Sequence, residues 1–235
     1  SNPFAMRWII TTVVAVIAGF AGAAAWDYSG LAPDRTRESI MANPEMLPEA
    51  IEELQRRETV ARLEPVRSEI ETPFPGAVLG NPNGEITLVE FSDYACGYCR
   101  MSVDHVNQLI AANPDLRVVI REYPILSAGS ADAARMALAA AQQGKFEEFH
   151  NAMFSFEGLT PENIEQAAQQ SGVDMDQARA SIESGAFESQ LQNNVFLARN
   201  MGLSGTPAWV VGDQVLSGAV GVATLSAAIE EARDS

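Results

Sequence analysis

The sequence predicts an α/β domain in which a block of helices is inserted before a closing β-hairpin, preceded by an apolar terminal helix and a charged helical stalk. Three observations carry this. "GEITLVEFSDY" (84–94) and "LRVVIREYPI" (116–125) read as buried strands with a helical run between them. From Ser130 to Gly202 helical patterns dominate. "PAWVVG" (207–212) and "QVLSG" (214–218) then read as two short strands turning at Asp213 and Gln214, after Gly212.

The elements follow in order. Trp8 to Ala25 carries no charge and approaches the ~20 apolar residues that span a bilayer. Met6-Arg7 reads as the native start, with Ser1–Ala5 as a cloning scar. Two export readings fit residues 1–28. One is a cleaved signal with Ala23-Ala24-Ala25 as the cleavage site. The other is an uncleaved transmembrane anchor with Trp8 and Trp26 at the interfaces. The apolar run exceeds the ~7–15 residues of a signal core, which favours the anchor. Both put residues 27–235 outside the cytoplasm, in a bacterial periplasm or cell envelope where a dithiol can be oxidised.

Residues 29–75 read as helical stalk and linker, and from Asp34 on they are charged and lack glycine. Asn43-Pro44 fits a helix start, Pro65 ends or kinks the second helix, and "TPFPG" (72–76) is a linker. Ile40, Leu47 and Leu54 fall seven apart with Ile51 beside them. That is either a face folded onto the main domain or the apolar seam of an oligomerisation stalk over residues 36–70. The main domain is 76–235, with the helical insertion at about 127–200. In it, "TPENIEQAAQQSG" opens with Thr160 as N-cap and Pro161 in the first turn.

Composition narrows the function. Hydrophobic residues make up 47% and charged residues 20%, enough for a packed core and against wholesale disorder. The net charge of −16, with no Lys/Arg cluster, argues against nucleic acid as a partner. Two cysteines are too few for a disulfide scaffold. They are also too few for a structural zinc site without His or carboxylate help, and His105 and His150 are not at zinc spacing. No cofactor and no metal site is expected.

Both cysteines lie in "EFSDYACGYC" (90–99). Cys96 sits where a strand ends and a helix begins, where helix-terminal N–H groups and the helix dipole favour a reactive thiolate. Cys99 is one turn along on the same face, within reach of the first sulfur. An inert structural disulfide is the bland alternative, but so short a loop constrains the unfolded chain little. Glu90 interrupts an apolar strand. Alternation places Leu88 and Glu90 on one face and Val89 and Phe91 on the other. Glu90 is therefore either a solvent-edge carboxylate or a buried proton acceptor beneath the thiols. Asp93 reads as a helix cap or a turn residue. Thr206-Pro207 precedes a strand, a common place for a cis-proline turn.

These features together resemble the DsbA-like thiol-disulfide oxidoreductases of the thioredoxin superfamily. The resemblance runs through "EFSDYACGYC", "AARMALAAAQQGKFEEFHNAMF" and "ARNMGLSGTPAWVVG", from about Pro75 to the end. It implies a thioredoxin fold with an inserted helical subdomain. It implies Cys96 as the exposed nucleophile, Cys99 as its buried partner, Pro207 as the cis-proline facing them, and Thr206 lining the substrate groove. Glu90 matches the family's buried acid. Gly97 and Tyr98 stand where the strong oxidases carry Pro-His, and Thr before Pro207 is more like the isomerases. "ANPEMLPEAIEELQ" (42–55) resembles the amino-terminal segment of the suppressor-of-copper-sensitivity C proteins, which can trimerise. The implied substrates are exported proteins with thiols or disulfides, and the implied partner is a membrane redox protein that resets the pair. Competing readings are a copper(I)-binding or copper-tolerance module using the same thiols, and a redox-inert binder with an apolar groove at Tyr98, Pro207 and Trp209.

Overall fold

The structure, a computed structural model, describes the backbone of residues 3–28 and 35–234. It divides into two compact units, residues 1–54 and 55–235.

The first unit holds α1 (Pro3–Tyr28), α2 (Arg35–Ala42) and the start of α3 (Met46–Leu63). A helix is thus present where the apolar segment predicts one. Among the described residues no helix is long and apolar enough to cross a membrane. The side chains of Ala23–Ala25 and Trp26, on which the cleavage and interface readings rest, lie outside the described residues. Asn43 works differently from the expected helix start: its Nδ2 donates to the Ser39 carbonyl at 3.0 Å, closing the end of α2. Leu47, Ile51 and Leu54 are all exposed on one face of α3.

The second unit carries a five-stranded sheet in the order β1-β3-β2-β4-β5, formed by β1 (Val78–Gly80), β2 (Ile86–Ser92), β3 (Leu116–Glu122), β4 (Ala208–Val211) and β5 (Gln214–Ser217). β2 and β3 are parallel, joined through α5 (Gly97–Ala112); the other pairs are antiparallel. β1 is absent from the sequence prediction. It is three residues long, beside the turn-forming Asn81–Gly84, and too short to show a period.

Alternation along β2 sorts the core into two layers. Leu88, with Val118, Ile120, Trp209 and Val211, faces α5 and α11 (Gly221–Arg233). Val89 and Phe91, with Val119 and Val210, face Leu63 of α3, Ile70 of α4 (Arg67–Glu71) and Leu197 of α10 (Glu188–Asn200). Leu63 and Ile70 are fully buried, so the end of the segment predicted as stalk packs in this unit.

Between β3 and β4 run α6 (Ala128–Gln142), α7 (Phe146–Ser155), α8 (Pro161–Gln170), α9 (Met175–Glu183) and then α10. α6 packs on α7, α8 and α9. Its buried alanines from Ala133 to Ala141 let three helices approach one axis, which larger side chains would prevent. α8 starts as predicted, with Thr160 accepting from the Asn163 N–H and Pro161 in the first turn.

Candidate functional site

The site forms where β2 ends, at the amino terminus of α5. Cys96 is the N-cap of α5, with extended backbone (φ −84°, ψ 116°), and its sulfur accepts the Cys99 N–H at 3.4 Å. A sulfur therefore takes the place that a Ser or Asp oxygen holds at most helix starts. From the other side the Cys96 thiol donates to the Thr206 carbonyl at 3.2 Å. The Thr206–Pro207 peptide is cis. This loop sits beside the thiols because β4 pairs with β2 in the register Glu90↔Trp209 and Phe91↔Ala208.

Both cysteines are free thiols. Cys96 is 7% exposed and Cys99 1%. The order of accessibility is as expected, but Cys96 is not an open surface thiol, because the Thr206–Pro207 loop covers it. Exposed apolar groups lie on the elements that adjoin it: Tyr98 and Met101 on α5, and Ile125 and Leu126 in the loop after β3. That loop is tied to the site by Asp93, whose Oδ2 accepts the Ile125 and Leu126 N–H groups while Oδ1 accepts that of Ala95. Asp93 is thus a buried stitch between two loops rather than a cap on α5. Nothing lies within 4 Å of the Cβ position at Gly97, so the approach to Cys96 is open there. Trp209 does not line this surface. It is 1% exposed, and its indole N–H donates to the Gly218 carbonyl at 2.9 Å.

Beneath the thiols lies a layer of buried acids. Glu90 is 2% exposed, on the Leu88 face as alternation predicts. Burial pushes its carboxyl up to about 8, against a smaller lowering by the Ser92 hydroxyl. Burial also pushes the Cys99 thiol far up, and the Glu90 charge adds to the rise. Further in, the Tyr94 hydroxyl bonds Glu122 Oε1 at 3.2 Å and His150 Nδ1 at 3.1 Å. Burial raises Glu122 and Tyr94 and lowers His150 to about 4. Burial thus favours the neutral form of the carboxyl, the phenol and the imidazole alike.

Ser92, Glu122 and His150 belong to this site and were not singled out in the sequence. Ser92 and Glu122 lie opposite each other in the parallel register of β2 and β3, which strand alternation alone could have suggested once the pairing was known. His150 comes from α7, 54 residues past Cys96, and carries no local signal. Among the described residues no group of three or more His, Cys, Asp or Glu is arranged to hold a metal ion.

The model of the DSBA-like thioredoxin domain matches residues 87–230. Among solved structures, a thioredoxin-like oxidoreductase from Silicibacter pomeroyi is 41% identical, with 67% of this chain and 92% of that one covered and a TM-score of 0.65. The thiol-disulfide exchange protein alpha-DsbA2 from Wolbachia pipientis is 29% identical, covering 76% and 97%, TM-score 0.69. A linker-deleted ScsC from Proteus mirabilis is 26% identical, covering 85% and 92%, TM-score 0.66. The chain spans about a quarter of the length of the curated relatives it matches; a Na(+)/H(+) antiporter of Salinispora tropica is 28% identical over 158 residues, 66% of this chain and 24% of the relative.

Proposed function

The chain belongs to the family of DSBA-like thioredoxin domains, and from that membership we propose that it exchanges thiols and disulfides in exported proteins through Cys96 and Cys99. The observation that carries the reading is the Cys96 sulfur at the first turn of α5, bonded to the Cys99 N–H and to the Thr206 carbonyl. A thiolate formed at this position accepts helix-terminal N–H groups as it attacks.

The reaction runs in two steps. The Cys96 thiolate attacks a client disulfide, forms a mixed disulfide and releases one client thiolate. Cys99 loses its proton, attacks the Cys96 sulfur and releases the second client thiolate, leaving the Cys96–Cys99 disulfide. Reversed, the same steps oxidise a client dithiol. Tyr98, Met101, Ile125 and Leu126 offer an unfolded client apolar contact around Cys96, and the backbone of Thr206, with Pro207 behind it, aligns the client chain beside Cys96. A membrane redox partner resets the pair, and its potential sets the net direction. The exposed apolar groups of α1, Val13 to Phe20 among them, support export to the bacterial envelope. The exposed Leu47, Ile51 and Leu54 face supports self-association through the segment 36–70.

The test uses the full chain in an insulin-reduction assay and in cells. Cys96→Ser is expected to abolish activity, and Cys99→Ser to accumulate mixed disulfides with exported proteins. Full activity without Cys96, or stoichiometric copper(I) capture by the thiols with no exchange, overturns the reading. Acid quenching and alkylation of living cells then reads direction: a mainly oxidised pair marks an oxidase, a mainly reduced pair an isomerase or reductase.

A further inference from the structure

Resolution of the mixed disulfide requires a proton to leave Cys99 from the most enclosed corner of the site. Cys99 is 1% exposed and Glu90 is 2% exposed, so bulk water is a poor acceptor for either. Ser92 shares the face of Glu90, two residues along β2, and is itself 2% exposed. Cys99 packs in the same core layer as Leu88, the face of β2 that also carries Glu90 and Ser92. The Ser92 hydroxyl is near enough to both groups to favour the charged form of each. Yet its oxygen is fully enclosed and reaches hydrogen-bond geometry with neither. A buried hydroxyl without a settled partner costs roughly 1–3 kcal/mol, so its persistence between a thiol and a carboxyl calls for an account.

We propose that Ser92 is the proton carrier between Cys99 and Glu90. This rests on the exchange reaction proposed above and deepens it. A hydroxyl both donates and accepts. In the molecules whose Glu90 is ionised, a fraction that grows as pH approaches 8, the Cys99 thiol proton passes to Ser92 Oγ as Cys99 attacks Cys96, and the Ser92 proton passes to the Glu90 carboxylate. The hydroxyl ends as it began, Glu90 is protonated and Cys99 is a thiolate. In the reverse direction Cys99 leaves as a thiolate and the proton returns from Glu90 by the same two hops. Close like charges in a buried site oppose simultaneous ionisation, so Cys99 and Glu90 hold one proton between them as Cys99 becomes a thiolate. A Ser hydroxyl, torsionally free at χ1, can turn from one to the other. The other ionisable groups facing this corner are Asp93 and Tyr94 from the β2–α5 turn, Glu122 from β3, Cys96 from α5 and, behind Tyr94, His150 from α7. Asp93 is occupied by three backbone N–H groups, and Glu122 and His150 are bonded to Tyr94.

The experiment mixes the reduced full chain with dithiobis(nitrobenzoate) and follows thionitrobenzoate release by stopped flow. The first phase reports attack by Cys96 and the second reports attack by Cys99 on the mixed disulfide. Ser92→Ala is expected to slow the second phase relative to the first by ten-fold or more, at the modest end of the ~10²–10⁴ range for positioned proton transfer. Ser92→Thr, which keeps the hydroxyl, should restore most of the ratio. Deuterated water should slow the second phase more than the first in the unaltered protein, a reading that needs no variant. A ratio within two-fold of the unaltered protein for Ser92→Ala, both phases slowing together, or equal isotope effects on the two phases overturns the proposal. If the unaltered protein shows no second phase at all, it is the exchange reading that fails, so the two failures are told apart.

Discussion

Glu90 is the residue on which the proposed chemistry and the stability meet. Folding takes its carboxyl from 4.5 to about 8. Between these values the folded protein holds a proton that the unfolded chain has released, so stability falls as pH rises through that window. Glu90→Gln should remove this slope and become progressively more stable than the unaltered protein from pH 4.5 to 8, measured as the urea midpoint across pH. Equal slopes in the two proteins would mean that Glu90 is not desolvated as the fold indicates. The same variant should slow turnover without stopping it, since Gln cannot accept the Cys99 proton and water must serve instead; an unchanged rate would remove Glu90 from the mechanism. His150 acts in the opposite sense. Its folded value of about 4 lies below its ordinary 6.5, so stability falls as pH drops from 6.5 to 4, where the unfolded chain takes up the proton that the buried imidazole refuses. His150→Phe should flatten that acid limb in the same urea series.

At the scale of elements, Arg121 fastens α4 to the sheet. It projects from the β3 face opposite the thiols. Its Nε donates to the Ile70 carbonyl at 3.1 Å, Nη1 to Asn194 Oδ1 at 3.0 Å and Nη2 to the Thr72 carbonyl at 2.5 Å, and the Glu69 carbonyl is a further acceptor. The last carbonyls of α4 have no partner within the helix, and a guanidinium there satisfies them and complements the helix dipole. Burial lowers Arg121 to about 10, which leaves it charged at neutral pH. Arg121→Met strips several buried carbonyls of their donor at once and should cost about 3 kcal/mol by urea denaturation. A loss below about 1 kcal/mol would mean that water replaces the guanidinium freely.

At the scale of the whole molecule, the exposed face of α3 bears on assembly. Leu47, Ile51 and Leu54 lie at i, i+4 and i+7, each about half exposed or more, the spacing of an apolar seam. Replacing Ile51 and Leu54 together with Glu should lower the mass seen by sedimentation equilibrium to that of one chain. A single-chain mass for the unaltered protein would remove the self-association proposal. Insulin reduction by the substituted protein then separates assembly from the exchange chemistry.

Much of this was legible along the chain because it is written in local pattern. The alternation of Leu88, Val89, Glu90 and Phe91 announced a strand buried on both faces with one acid among apolar groups. Thr160 and Pro161 announced a helix start, Gly212 and Asp213 a hairpin, and the Cys96–Cys99 spacing two cysteines one turn apart at a helix start. Asn43 was misread because an amide can cap the end of one helix as readily as the start of the next. β1 had too few residues to show a period. The tertiary structure alone decided what surrounds the thiols. Ser92 faces Glu122 only because β2 pairs in parallel with β3. His150 meets Tyr94 only because α7 folds back over the sheet, and Thr206 covers Cys96 only because β4 pairs with β2. These contacts join residues far apart in the chain, and burial, which sets the acidities of Glu90, Cys99 and His150, exists only once those elements have packed together.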